Sequence, residues 1–345
     1  MSVPFDAYCL SAYLTFRYVP RDGAAWCPGV VTHLPRVSEE DQIPVRDAGD
    51  VRAALGDLVR AGPSTGLLLS GGIDSAILAS FLPEGTRAYT IRFAAEGALD
   101  ESPRAQAYAR LRRLDLRVVT VTWDDYVAHA PWLMQTKNAP LHAIEVPLHR
   151  AAAEARADGI DTLIVGNGAD STFGGLDKLL ARDWTYAEFV RRYTFVEPRD
   201  VLERPAPTDG VWAPFVKGAG FDVQGFLKKV HGLGIVQSFE NAARAAGVTL
   251  RAPYEQLRLA APLDVARIRA GDTKYVLRDL YRELYPGIDL PEKVAFARPM
   301  DRWLSAWRGP ERPEFRRDLD VASLSGEQRW LVHCLDRFLS SLDPS

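Results

Sequence analysis

Apolar positions along the chain alternate between two periods. Leu10, Tyr13, Leu14 and Tyr18 recur at helical spacing, followed by a loop rich in Pro, Gly and Trp up to about residue 42. A helix is predicted from about residue 50, with Val51, Leu55, Leu58 and Val59 on one face, ending near Gly62-Pro63. Residues 67–69 form a short apolar run bounded by glycine, and helical spacing follows over 73–82. Residues 88–93 read as a strand, 101–114 as an Arg-rich amphipathic helix, 118–122 as a β-branched strand, 146–157 as a helix and 162–165 as a strand. Strands alternating with helices at this spacing predict βαβ units and a parallel sheet. Beyond about residue 182 the stretches 184–195, 222–246, 272–284 and 325–342 have helical periodicity, while Pro198, Pro205, Pro207 and Pro214 break the connecting region. The expected fold is α/β: a parallel, doubly wound sheet of about five strands, followed by a mostly helical C-terminal region. The expected division is an N-terminal helix and linker over 1–49, an α/β domain over 50–182 and a helical substrate-side domain over 183–345.

The first strand runs into Ser70-Gly71-Gly72-Ile73-Asp74-Ser75 and then a helix. Adjacent glycines let a backbone approach a ligand closely, and loop N–H groups before a helix suit an anion. Ser70 and Ser75 can add hydrogen bonds to phosphate oxygens. Asp74 would repel phosphate unless a divalent cation bridges them, which implies Mg2+. No Gly-Lys-Ser/Thr follows the glycines and the G-x-G-x-x-G spacing is absent, so this is neither a P-loop nor a dinucleotide fingerprint. A second Gly-rich string, Gly166-Asn167-Gly168-Ala169-Asp170-Ser171-Thr172-Phe173-Gly174-Gly175, follows the strand ending at Val165. Ligands bind at strand C-termini in open α/β sheets, so Asp170 could share a metal with Asp74.

Composition narrows the partners. The 345 residues are 47% apolar and 25% charged, which excludes a disordered chain. Forty-two basic against 45 acidic residues leave −3, no electrostatic footprint for nucleic acid or anionic lipid. No signal peptide or membrane-length apolar stretch is evident, so a cytoplasmic location is expected. Cys9, Cys27 and Cys334 are far apart and without a CxxC pair, against a disulfide scaffold or cysteine-rich zinc site. The six histidines lack metal-ligand spacing, and Trp123, Trp132, Trp184 and Trp212 read as core or pocket-rim residues.

The 70–75 loop resembles the pyrophosphate loop of the N-type ATP pyrophosphatases, which cleave ATP between the α and β phosphates. The 166–175 string is similar to the G-E-G-A-D-E-L-F-G-G segment of asparagine synthetase and the related β-lactam synthetase. Residues 14–20 (LTFRYVP), Asp100-Glu101, Arg251-Ala252-Pro253-Tyr254, the Lys274-Tyr275-Val276-Leu277-Arg278 string and Leu290-Pro291-Glu292-Lys293 extend the resemblance over nearly the whole chain. It implies ATP and Mg2+, with nucleotide contacts from Leu68, Ser70, Gly71, Gly72, Ile73, Asp74, Ser75, Ile91 and Gly166, and metal ligation by Asp74 and Asp170. It also implies charge stabilisation by Lys293 and Lys274, two of only seven lysines against 35 arginines.

Two departures shape the expected activity. The family's glutaminase domain with its terminal Cys nucleophile is expected to be absent, since Ser2 follows Met1 and Cys9 falls in a predicted helix. Asn167 and Ser171 replace the family's carboxylates, and Asn cannot act as a general base. Glu145 and Glu255 are carboxylates near the site strings that could take a proton, but neither is assigned. The expected activity is a stand-alone ligase that adenylates a carboxylate and passes the acyl group to an amine, and conversion of aspartate to asparagine is not expected. The amine could be free, tethered within the substrate, or delivered by a separate partner, and the chain could form a homo-oligomer. A tRNA- or sulfur-modifying enzyme and a non-catalytic nucleotide-binding protein are the alternatives.

Overall fold

A computed structural model describes residues 4–36, 40–292 and 297–343. Its centre is a five-stranded parallel sheet: β1 (Thr65–Leu68), β2 (Arg87–Phe93), β3 (Asp115–Val121), β4 (Thr162–Ile164) and β5 (Thr249–Arg251), in the order β5-β4-β1-β2-β3. Leu67 pairs with Ala88 on one side and Ile164 on the other. The α/β expectation holds, with strand boundaries displaced by up to three residues.

Alternation along the strands feeds two separate cores. Leu67, Ala88 and Ile164 join one apolar cluster, while Tyr89, Ile91, Val119 and Leu163 join the other. On the first face lie α2 (Ala48–Leu58), α3 (Ile73–Ala79) and α4 (Ser102–Arg112). The second face is covered by α5 (Trp123–Lys137), α6 (Glu145–Ala157) and the N-terminal α1 (Ala7–Phe16). Asp47 starts α2 by accepting from the Asp50 N–H at 2.9 Å.

The region after residue 182 is divided between both faces. α7 (Gly232–Ala245) and α9 (Gly326–Ser341) pack on the α5/α6 side, whereas α8 (Tyr275–Leu284) packs against α2 and α3. The same region supplies edge strand β5, so the sheet draws on residues either side of 182. Cys9 does lie in α1, fully buried. Residues 24–32, expected as loop, instead form an antiparallel hairpin of Ala24–Cys27 with Val30–Thr32. Among the described residues, no helix is long and apolar enough to cross a membrane.

Glu145 has a structural task on the second face. Its Oε1 meets Lys137 Nζ at 2.6 Å and the His142 N–H at 2.8 Å, while Oε2 accepts from Asn241 Nδ2 at 2.8 Å. Both side chains of the ion pair are essentially sealed from solvent. With both oxygens engaged, Glu145 is no base for substrate. Removing one partner strands a buried charge, so Lys137→Met should lower unfolding free energy by about 3–5 kcal/mol. Urea titration at pH 7 reads this as a lower midpoint; an unchanged midpoint would refute it.

Candidate active site

The site is built where the carboxyl ends of β1 and β4 meet. After β1 the chain turns through Ser70 to Ser75 into α3. Ser75 Oγ closes this loop, accepting from the Ser70 N–H at 3.1 Å and lying 3.0 Å from Ser70 Oγ and 3.2 Å from the Gly72 carbonyl. Gly71 is at φ +82°, and a Cβ there would come within 2.8 Å of Arg104 Cβ. The loop thus fits against α4 only because position 71 has no side chain.

After β4 the second string passes directly against the first loop. A Cβ on Gly166 would lie 3.3 Å from Asp74 Cβ. The short helix Ala169–Thr172 then presents Asp170. Lys274, just ahead of α8, reaches both: its Nζ is 2.5 Å from Asp74 Oδ2 and 3.0 Å from Asp170 Oδ1. Three residues scattered over 200 positions therefore share one point. Lys274 is at φ +51°, an uncommon conformation for a non-glycine residue. Burial opposes its charge, but the carboxylates of Asp74 and Asp170 outweigh it and hold the ammonium above the ordinary lysine value.

Other contacts fix this arrangement. Tyr254, buried in the turn after β5, donates to the Asp74 carbonyl at 3.0 Å. Tyr285 at the end of α8 donates to the Ala76 carbonyl at 2.5 Å. Gly175 closes the second string where a Cβ would overlap Asp170 Oδ1 and Lys274 Cε. Gly175→Ala should displace the lysine or the carboxylate, and misplacement by about 1 Å can cost about 100-fold in rate. Pyrophosphate release by this variant, in a protein with wild-type melting temperature, is the check; undiminished release would refute the role.

The donor set suits Mg2+. That ion takes one or two carboxylates together with phosphate oxygens and waters. Asp74 and Asp170 provide two hard oxygen donors, and no cluster of three or more His, Cys, Asp or Glu that could hold a metal forms among the described residues. Leu68 and Ile91 lie on the opposite face of the sheet from α3, Leu68 lining a small apolar cavity with Leu148, Leu163 and Leu250. Lys293 lies outside the described residues. Its neighbour Glu292 accepts at the carbonyl from Arg104 Nη1 at 2.8 Å, beside Gly71.

Two features of the site are not evident from spacing. Asn167 Nδ2 donates to Glu255 Oε1 at 3.1 Å, and burial, reinforced by Glu240, pushes the Glu255 carboxyl up to about 7. A π-helical turn, Leu227–His231, packs beside the second string, with Gly232 about a methyl contact from Ser171. His231 Nδ1 lies 2.9 Å from Tyr193 Oη; burial and Arg17 push this imidazole down to about 3, so it is neutral.

With that geometry in place, comparison with known proteins is decisive on family. A family model described as asparagine synthase matches residues 49–340. The chain belongs to the asparagine synthase family. Among curated proteins it is similar to asparagine synthetase [glutamine-hydrolyzing] 1 of Bacillus subtilis, 24% identical over 205 residues, covering 50% of this chain and 31% of that protein. It is also similar to amidase chry2 of Gibberella zeae, 29% identical over 141 residues, covering 36% of this chain and 21% of the relative. The chain thus matches a third or less of either relative's length. A solved U34-tRNA thiolase, NcsA of Methanococcus maripaludis with its [4Fe-4S] cluster, aligns over 77% of this chain and 86% of its own. Its 13% identity and TM-score of 0.28 carry no argument about function. Enzymes of the asparagine synthase family use ATP.

Proposed function

We propose that this member of the family is an ATP-dependent amide-bond-forming ligase that releases AMP and pyrophosphate. A substrate carboxylate attacks the α-phosphate of ATP, pyrophosphate leaves, and an amine then displaces AMP from the acyl-adenylate. The observation that carries this reading is the convergence of Asp74 and Asp170, from two Gly-rich loops, on the single ammonium of Lys274.

The residues divide the work as follows. The 70–75 loop cradles the pyrophosphate, and Leu68, Ile91 and Gly166 flank the nucleotide. Asp74 and Asp170 would hold Mg2+, which neutralises charge on the phosphates. An ammonium and a divalent cation cannot share one position between two carboxylates. With Mg2+ held there, the Lys274 ammonium would give up that place and direct its charge at the leaving pyrophosphate, where it is worth most in a water-poor site. Lys293 is assigned a second charge-stabilising role by family resemblance alone.

Sulfur transfer to tRNA is the less supported reading. Cys9, Cys27 and Cys334 are all buried, and burial pushes the thiols of Cys9 and Cys334 up to about 12, far from the thiolate such chemistry uses. A cytoplasmic setting and a place in specialised-metabolite biosynthesis fit a ligase of this kind by analogy. The amine is free, tethered in the same substrate, or handed over by a partner protein.

The test is pyrophosphate and AMP formation from ATP–Mg2+ across a panel of carboxylic acids, each with and without amines. Release that depends on one acid supports adenylation and identifies the substrate class. Release that also needs the amine means both half-reactions run in one closed site. Bound ATP with no release under any condition would overturn the proposal in favour of a nucleotide-binding protein.

A further inference from the structure

The ligase reading leaves a proton without a destination. An amine is protonated in neutral water and must lose a proton to attack an acyl-adenylate. The position where the family carries a carboxylate in its second string is Asn167, whose amide has no basic site. Lys274 is committed to charge stabilisation, Glu145 is sealed in an ion pair with Lys137, and His231 is a neutral imidazole with little basicity.

Glu255 stands next to the vacancy in chemistry. It belongs to the turn Pro253–Gln256 that follows β5, on the same carboxyl edge of the sheet as the two loops. Asn167 donates to its Oε1 at 3.1 Å. Gly168 has φ +91°, and a Cβ there would lie 2.9 Å from Glu255 Cδ and 2.8 Å from its N. The second string and the Glu255 carboxyl are therefore in van der Waals contact, which only glycine at 168 permits. From the other side Gln42 Nε2 donates to the Glu255 carbonyl at 2.8 Å, fixing the turn. Neighbouring Tyr254 is bonded to the backbone of Asp74, so the turn is tied to the pyrophosphate loop as well.

We propose that Glu255 is the general base of amide formation, its carboxylate supplied from the β5 turn in place of the one missing at position 167, with Asn167 as the residue that positions it. This rests on the ligase reading. Glu255 takes a proton from the amine nitrogen, whose lone pair then forms the C–N bond. The C–O bond of the mixed anhydride breaks, AMP leaves with that electron pair, and the second proton, shed by nitrogen once the C–N bond has formed, goes to the phosphate of the departing AMP. Among the described residues, Glu240 is the charged group that bears on Glu255, and Asn167 and Gln42 are neutral. A base titrating near neutrality is well matched to this task.

The experiment compares wild type, Glu255→Gln and Glu255→Asp with the carboxylic acid identified by the panel above. Three readouts are taken: acid-dependent exchange of labelled pyrophosphate into ATP, hydroxamate formation with hydroxylamine, and amide formation with methylamine. Hydroxylamine is largely unprotonated at neutral pH and needs no base before attack. The expected result for Glu255→Gln is exchange and hydroxamate formation within about threefold of wild type and a methylamine rate lower by about 10²–10⁴-fold. Below pH 7 the methylamine rate of wild type should fall more steeply than the free-amine fraction alone requires, an extra limb that Glu255→Gln lacks and Glu255→Asp retains, shifted. A methylamine rate in Glu255→Gln equal to wild type overturns the proposal. So does an equal loss of all three readouts, which marks a structural carboxylate. Failure of wild type to exchange pyrophosphate with any acid overturns the ligase reading itself, and the base with it.

Discussion

Replacing Asp170 or Asp74 by Asn should reduce Mg2+-dependent pyrophosphate release by about 10³-fold, while leaving the protein folded. Each carboxylate is one of two that converge on the same ammonium, at 3.0 and 2.5 Å, and each would be one of two protein ligands to the metal. Asn keeps the shape and one oxygen but loses the charge, and charge is what a hard cation between anionic phosphates needs. Folding should survive because the Asp170 side chain is 47% exposed and the Asp74 side chain 21%. The loss should be steep in rate and accompanied by a raised Mg2+ requirement, measured by titrating the metal at saturating ATP. The double variant should be little worse than either single one, since the two act as a unit. Full activity in either single variant would remove the pair from the mechanism.

How much of this could be read from the chain depends on how local the signal is. The two Gly-rich loops are continuous strings that follow strands, so residues 70–75 and 166–175 could be located, and Asp74 and Asp170 matched, before any contact was known. The sheet was legible for the same reason, except at β5. Three residues, Thr249–Arg251, carry no pattern of their own, and they pair only because the chain returns to β4 through α7. α5 was not evident because Pro131 interrupts it, although its capping box at Thr122 and Asp125 is a sequence signal that could have shown it. The hairpin over 24–32 is hidden by strands of only four and three residues.

The chemistry at the loop edges was less legible still. Glu145 and Glu255 look alike as glutamates near a site string, yet one is sealed against Lys137 and the other rests on Asn167 and Gly168. What separates them is burial and partners 8 and 88 positions away, which no spacing rule encodes. Gly175 was visible as a motif letter, but its purpose, room for a lysine arm beside Asp170, needed the fold. Lys274 stands out in the sequence by resemblance and by the scarcity of lysine, and the structure adds a physical feature, its place between the two carboxylates.

Lys274→Met should give the other large effect, and one with two opposite signs. Pyrophosphate release should fall by about 10³-fold, because the buried cation proposed to stabilise the leaving group is lost from a site where charge is poorly screened. Binding of Mn2+ to the protein without nucleotide should become tighter. In the wild type the ammonium stands between Asp74 and Asp170, so a divalent ion entering alone must displace it. Met removes that competitor from the two carboxylates, which a divalent ion can then engage as hard oxygen donors. Lys274→Arg should not restore the rate. The arm crosses Asp170 at a spot so narrow that a Cβ on Gly175 would overlap it, and a planar guanidinium is wider than an ammonium. Manganese titration followed by electron paramagnetic resonance reads the binding, and the coupled pyrophosphate assay reads the rate. A general loosening of the fold would weaken both together. A slower enzyme that binds metal more tightly is the signature of a lysine holding the metal's place, whereas unchanged Mn2+ affinity in Lys274→Met would refute that role.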